Sequence, residues 1–411
     1  MVDASDSIAF AAGARLVLSD PQHLYVPQAQ ERVEASLLHI PPADHFLAPF
    51  TNIAAGALIL SPLSSVDLAT ETSIVVVIST VLFAFALLLM RRLLAPVSSR
   101  PMRLAIAAAT VMCIPAVEAV VQWDSLLTVA LLGSVLLAER RRYDWAGLLL
   151  ATLVLKPQVV WLVVAAVVAA RSWRYLGGLV LGCAVWLAVS TFIAGPAALV
   201  ALAQLIGSSY PGQAGIGVGI PSLILAATGN GVIAFIAAGG LGVIAAAGLL
   251  SRRELFRGRP LAAVAIGVSL SLLCSPHVSL EDLMLLTVPV AFIARRWPKV
   301  ALGEALAISA AELVQLQFAV GDRHLQPVVL AIIASSAVLA LLPPRDLASP
   351  VPTHSASLQL TPVSGAIGGL MELMVVDTRA LPQSRSDRPT LGDLATRPRN
   401  GPDRDSAPAL G

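Results

Sequence analysis

The stretch LLLATLVLKPQVVWLVVAAVVAARSWR, Leu148–Arg174, decides how this chain folds. Apart from Thr152 it is apolar up to Lys156-Pro157-Gln158, and then apolar again until Arg171. An ammonium between two apolar runs is costly in hydrocarbon. One span with a proline kink would explain the breadth of the run, but both ends are basic, RRRYDW before and RSWR after. A single span would put one of these clusters on each side. A hairpin keeps both on one side, and Pro157, having no N–H, breaks a helix at low cost in such a turn. The limbs of roughly 11 and 13 residues reach about 16–20 Å, short of the roughly 30 Å hydrocarbon core. The turn therefore lies below the far surface, where irregular backbone is tolerated only against protein or water. Lys156 then faces a wet cavity, with an anion such as a phosphate as its natural partner. The plainer alternatives are snorkelling and a structural pair with a buried carboxylate.

Working outward, the whole chain reads the same way. Its 411 residues are 57% hydrophobic and 13% charged, with mean hydropathy +0.81. That is too little charge for the surface of a soluble domain. The reading is an all-α polytopic membrane protein. The formal net charge of +2 gives no reason to expect nucleic acid. Cys113, Cys183 and Cys274 lie in apolar runs and read as packing residues, and no Cys/His pattern suggests a metal.

Basic clusters close the apolar runs at Arg91/Arg92, Arg100/Arg103, Arg140–Arg142, Arg171/Arg174, Arg252–Arg259, Arg295–Lys299 and Arg345. The intervening connections, among them 195–230 read as a long loop, are nearly free of positive charge. The positive-inside rule assigns the basic loops to the cytoplasm. Spans are expected at roughly 73–90, 104–121, 125–138, 145–155, 158–170, 175–194, 231–250, 260–275, 283–294, 300–317 and 326–342, about eleven in all by length and hydropathy. Residues 1–72 form an extracytoplasmic segment with interfacial or re-entrant helices, and 73–342 the transmembrane domain. Residues 343–411 form a Pro-, Ser-, Arg- and Asp-rich tail expected to be disordered and cytoplasmic. Its apolar patch AIGGLMELMVV is compatible with an interfacial helix.

Other costly residues gather at the outer ends of the spans: Glu118 and Asp124 in PAVEAVVQWDSLL, and His277, Glu281 and Asp282 in SPHVSLEDLMLL. Singly, each is readily a solvated or capping residue, with Asp124 or Ser275 as an N-cap. Together they describe a polar chamber opening outward.

The order of these signals resembles glycosyltransferase family 87, polyprenyl-phosphate-sugar-dependent enzymes of the GT-C membrane class that includes bacterial mannosyltransferases. The stretches that carry it are DSIAFAAGARLVLSDPQHLY, FLAPFTNIAAGALILSPL, PAVEAVVQWDSLL with the KPQ hairpin, and SPHVSLEDLMLL. The resemblance implies a GT-C-type fold and transfer of a hexose or pentose, mannose favoured. The donor would be a polyprenyl-phosphate sugar, and the acceptor an extracytoplasmic glycan or glycolipid. It makes Asp6, four residues before Phe10, the general base, with Asp3 as fallback. It makes Lys156 the holder of the donor phosphate, with Gln158, Glu118, Asp124, His277 and Asp282 lining the same chamber. No metal or other cofactor is implied, because a cationic side chain balances the phosphate charge. Two departures stand out. Gln122-Trp123 replaces the family's usual Gly-Gln pair, and the family's spanning helix ahead of the catalytic Asp is missing, which points to a start upstream of Met1. The rival classes are a lipid or solute transporter or flippase and an inactive, truncated family member. Internal repeats, common in transporters, are not visible.

Overall fold

The computed structural model describes residues 4–41, 48–97, 99–111, 123–157, 160–213, 219–275, 278, 280–318 and 322–341. These lie within one compact unit, Met1–Asp346. Among the described residues there are helices and no strand. In chain order the α-helices are α1 Ala4–Ser19, α2 Pro27–Leu38, α3 Ala54–Leu60, α4 Leu68–Leu93, α5 Arg100–Val111, α6 Asp124–Glu139, α7 Tyr143–Leu150 and α8 Val160–Ala169. There follow α9 Trp173–Ala194, α10 Pro196–Gln213, α11 Ile220–Thr228, α12 Gly231–Ser251, α13 Pro260–Cys274, α14 Thr287–Ala294, α15 Pro298–Phe318 and α16 Asp322–Leu341.

The connection 195–230 is where the structure departs from the sequence reading. It contains two helices, α10 and α11, rather than a long loop. Gly195, at φ +81°, ends α9, and Pro196 starts the next helix at once. Pro at a first helical position and Gly just past a last one are start and stop signals, not evidence of irregular chain. The turn expected at Ser19-Asp20-Pro21 is present as the end of α1. The start of α4 is fixed by Asp67, whose carboxylate accepts from the Thr70 N–H at 3.0 Å and the Thr70 hydroxyl at 2.7 Å. Those two bonds hold its carboxyl below the ordinary range.

Three helices, α4, α9 and α12, are long and apolar enough by length and composition to cross a membrane. Their outward faces are apolar: Phe192 is 92% exposed, and Val180, Val185, Ile236 and Ile244 are exposed as well. Such faces would be an aggregation liability in water and carry no penalty against lipid. The other apolar helices among the described residues are shorter.

The hairpin is visible in the packing. Ser134 Oγ donates to the Ala146 carbonyl at 2.7 Å and lies 2.5 Å from the Tyr175 hydroxyl, tying α6, α7 and α9 together. A Cβ on Gly147 would stand 2.1 Å from the Tyr175 carbonyl oxygen, one on Gly178 2.1 Å from that of Asp144, and one on Gly182 2.4 Å from the Ala151 Cβ. Contacts advance together along both helices, so α7 and α9 run parallel from the same end. The intervening α8 must then return to that end. Arg174 and Asp144 pair there, so the two basic clusters share a side, as the sequence required. The second limb packs elsewhere, with the Trp161 ring lying on Gly242 of α12 and the Val163 backbone against Gly267 of α13.

This geometry makes a direct prediction. Gly147→Ala forces a methyl group into backbone that has no room to yield, and should cost about 1–3 kcal/mol or more. Gly177→Ala, on α9 with nothing within 4 Å of its Cβ position, should be neutral or stabilising by up to about 1 kcal/mol. Thermal unfolding of the two variants in detergent checks the difference.

Arg259 and the Arg295/Arg296 cluster converge on the same end. Arg295 donates to the Leu93 carbonyl at 2.9 Å and pairs with Glu139, joining the ends of α4, α6 and α14. Burial and the nearby Arg259 hold the Arg296 guanidinium below its ordinary value.

Candidate functional site

Away from the basic end, the chain breaks helix in three places and puts a charge at each. The first hairpin limb leaves α7 as a 3-10 turn, Ala151–Leu155, and stops at Lys156, whose φ −132° and ψ 77° are not helical. The chain from Leu280 to Leu286 is 3-10 as well and carries Asp282. Asp124 opens α6. It is the first helical residue rather than the N-cap, which is Trp123. Ser275, the other N-cap candidate, closes α13 instead. Both 3-10 segments lie at helix ends, where such turns are common.

The three charges meet. Lys156 Nζ lies 3.1 Å from both oxygens of Asp124 and 2.5 Å from Asp282 Oδ1. All three residues are buried, none more than 7% exposed. The carboxylate of Asp124 also benefits from the positive N-terminal end of α6. With both acids ionised, one ammonium serves two carboxylates, and the group carries one net negative charge. Charges taken this far from water survive only with partners in good geometry. From Asp124 to Glu139 is the sixteen-residue length of α6, so the triad stands about 22 Å from the basic end along that helix.

A cover of short elements closes the triad's end of the bundle. The Phe10 ring of α1 meets Trp123 edge-on at 5.4 Å and Phe50 at 5.9 Å. Gly13 leaves the room that Phe50 occupies: a Cβ there would be 2.8 Å from the ring. Gly56 of α3 faces both Leu155, next to Lys156, and the Trp123 ring. Arg15 fastens α1 to α4 through Glu71 at 2.8 Å and the Val66 carbonyl at 2.8 Å. Below α1, buried Gln30 exchanges hydrogen bonds with the Phe50 backbone, and Tyr25 donates to the Asn52 carbonyl at 2.8 Å. Burial pushes the Tyr25 hydroxyl well up, so it remains a neutral donor.

Of the candidate residues, the structure thus brings together Lys156, Asp124 and Asp282. Asp6 falls within α1, one turn before Phe10. Asp3, Glu118, Gln158 and His277 lie outside the described residues, as do Cys113 and the tail. Cys183 and Cys274 are free thiols. Among the described residues no cluster of three or more His, Cys, Asp or Glu side chains suited to a metal assembles. Sequence reading passed over Glu304, whose carboxylate accepts from Ser335 at 2.7 Å and Ser336 at 3.1 Å between α15 and α16. The signal was available: an acid five residues into an apolar run that starts at Val300, opposite a Ser-Ser pair on the next helix.

A helical membrane bundle with clusters of arginine at one end and a buried charge cluster towards the other is the class that fold and site define. The family model for glycosyltransferase family 87 matches residues 50–276, more than half of the chain. The chain belongs to that family and is a membrane glycosyltransferase. No curated protein and no solved structure matches it. The matched range takes in Asp124 and Lys156 and stops short of Asp282 and of Asp6.

Proposed function

We propose that the protein is a multi-pass GT-C-type enzyme of about eleven spans. It moves a hexose or pentose, mannose favoured, from a polyprenyl-phosphate donor to a glycan or glycolipid on the extracytoplasmic side. The observation that carries this reading is the buried Lys156–Asp124–Asp282 triad at the end of the bundle remote from the basic loops. A cation held there, at the tip of a hairpin that stops short of crossing, suits an anionic headgroup whose tail remains in lipid.

In this reading an acceptor hydroxyl attacks the anomeric carbon. The new C–O bond forms as the bond from that carbon to the phosphate oxygen breaks, and the polyprenyl phosphate departs. Asp6 takes the hydroxyl proton, with Asp3 as fallback. Lys156 balances the charge that grows on the leaving phosphate, where a fixed cation in a water-poor site is most effective. Since Lys156 already has two anionic partners, the phosphate exchanges with one of them. Asp282 is the partner that yields in this reading, because the carboxylate of Asp124 keeps the favourable N-terminal end of α6. Gln158, Glu118 and His277 complete the chamber wall.

The test is transfer of radiolabelled mannose from polyprenyl-phosphate mannose to lipid or glycan acceptors in membranes carrying the protein. Labelled product made by the wild type and absent from a Lys156 variant that folds supports the reading. Solute or lipid flux in liposomes without any glycosylated product would overturn it in favour of a transporter.

A further inference from the structure

Trp123 is a buried donor that meets no acceptor among the described residues. The residue is 8% exposed, and its indole Nε1 has no hydrogen-bond partner among the described residues. Buried indole N–H groups are ordinarily paired, since leaving one unmet forfeits its hydration. The ring stands where three functional elements meet. Phe10 of α1 presses on it edge-on at 5.4 Å. Its Cζ2, on the side of the ring that bears Nε1, is 3.4 Å from the Cβ position of Gly56 in α3, and the same position lies 3.3 Å from Leu155, the neighbour of Lys156. The next residue in the chain is Asp124 of the triad.

We infer that Trp123 is a specificity-determining contact for the sugar of the lipid-linked donor, its Nε1–H donating to a sugar hydroxyl and its ring packing on the C–H face of the pyranose. This rests on the reading that the triad end receives the donor. The chemistry of the wall selects the sugar rather than the phosphate. The indole carries a single neutral donor on a ring flanked by Phe10 and Gly56, with Leu155 beside Gly56, an apolar surface suited to an uncharged ring with hydroxyls at its edge. The phosphate's charge is matched next door, at Lys156. Phe10 of α1 and Gly56 of α3 flank the ring, and the sugar takes the place of the Phe10 edge.

The experiment separates this contact from a packing role. Trp123→Phe keeps an aromatic ring and removes the unmet donor, while the smaller ring leaves a cavity that lowers the unfolding temperature modestly. Its KM for polyprenyl-phosphate mannose should rise about five- to tenfold, the worth of one hydrogen bond to a neutral group, with kcat less affected. Purified wild type should gain more thermal stability from polyprenyl-phosphate mannose than from polyprenyl phosphate. Trp123→Phe should lose that increment and keep the response to the sugar-free lipid. Wild-type KM and an intact increment in Trp123→Phe would overturn the inference and leave the proposed function standing. Failure of wild-type protein to respond to either lipid would overturn the donor assignment and the sugar contact with it.

Discussion

Asp6→Asn is expected to reduce sugar transfer by about 10²–10⁴-fold, the usual contribution of a general base, with protein level and detergent stability unchanged. Asp6 is the third residue of α1. A loss of 10²–10⁴ in rate corresponds to about 2.7–5.4 kcal/mol of barrier. Unfolding temperature in detergent, measured alongside the rate, separates a loss of fold from a loss of chemistry. The placement of α1 supports the choice of residue. Phe10, one turn on, contacts Trp123, and Trp123 precedes Asp124 of the triad. The helix that carries Asp6 is thus fastened beside the charges that would meet the donor. The measurement is initial rate of transfer in membranes, normalised to protein by immunoblot. Wild-type rates in Asp6→Asn would remove Asp6 from the base role and move the test to Asp3.

The hairpin was legible in the sequence because its signal is local and redundant. Two basic clusters flank a run too long for one limb and too short for two full crossings, with Pro157 at the break. The pairing of Arg174 with Asp144 and the parallel course of α7 and α9 are what such a pattern demands. The gathering of Asp124, Lys156 and Asp282 was legible only as a shared side. That Lys156 would be bound by both acids depends on how α6, the hairpin tip and the 280–286 segment pack. No spacing along one helix encodes that, because 32 residues separate the first pair and the third charge is further still.

The failures have physical causes too. Residues 195–230 read as a loop, whereas Gly195, Pro196 and Gly229 stand at helix ends, where Gly and Pro are stop and start signals. Asp124 read as an N-cap because acids favour helix starts. It occupies the first turn instead, where the same preference is electrostatic and leaves its carboxylate free to reach Lys156. The role of Trp123 could not be read at all. An unmet donor is a property of surroundings assembled from α1, α3 and the hairpin, and a tryptophan in an apolar run carries no sign of it.

Lys156→Met should be the most damaging single substitution in the chain. It removes the ammonium and leaves Asp124 and Asp282 facing each other in a buried site, where an uncompensated charge costs about 3–5 kcal/mol. Loss of activity in that variant would therefore say nothing about catalysis. The informative comparison is the triple variant Lys156→Met, Asp124→Asn, Asp282→Asn. It has nearly the same shape and no charge, and replacing a buried ion group as a whole is often neutral or stabilising. Its unfolding temperature in detergent should recover to near wild type while sugar transfer stays absent. Asp282→Asn alone keeps the Lys156–Asp124 pair, electrically neutral and bound at 3.1 Å, so it should fold well. Because it weakens the internal competitor for Lys156, it should also lower the KM for the donor. Recovery of fold and of transfer together in the triple variant would show that the Lys156 charge has no part in the reaction. The triad would then be a clamp holding the hairpin tip to α6, and the donor phosphate would need another cation.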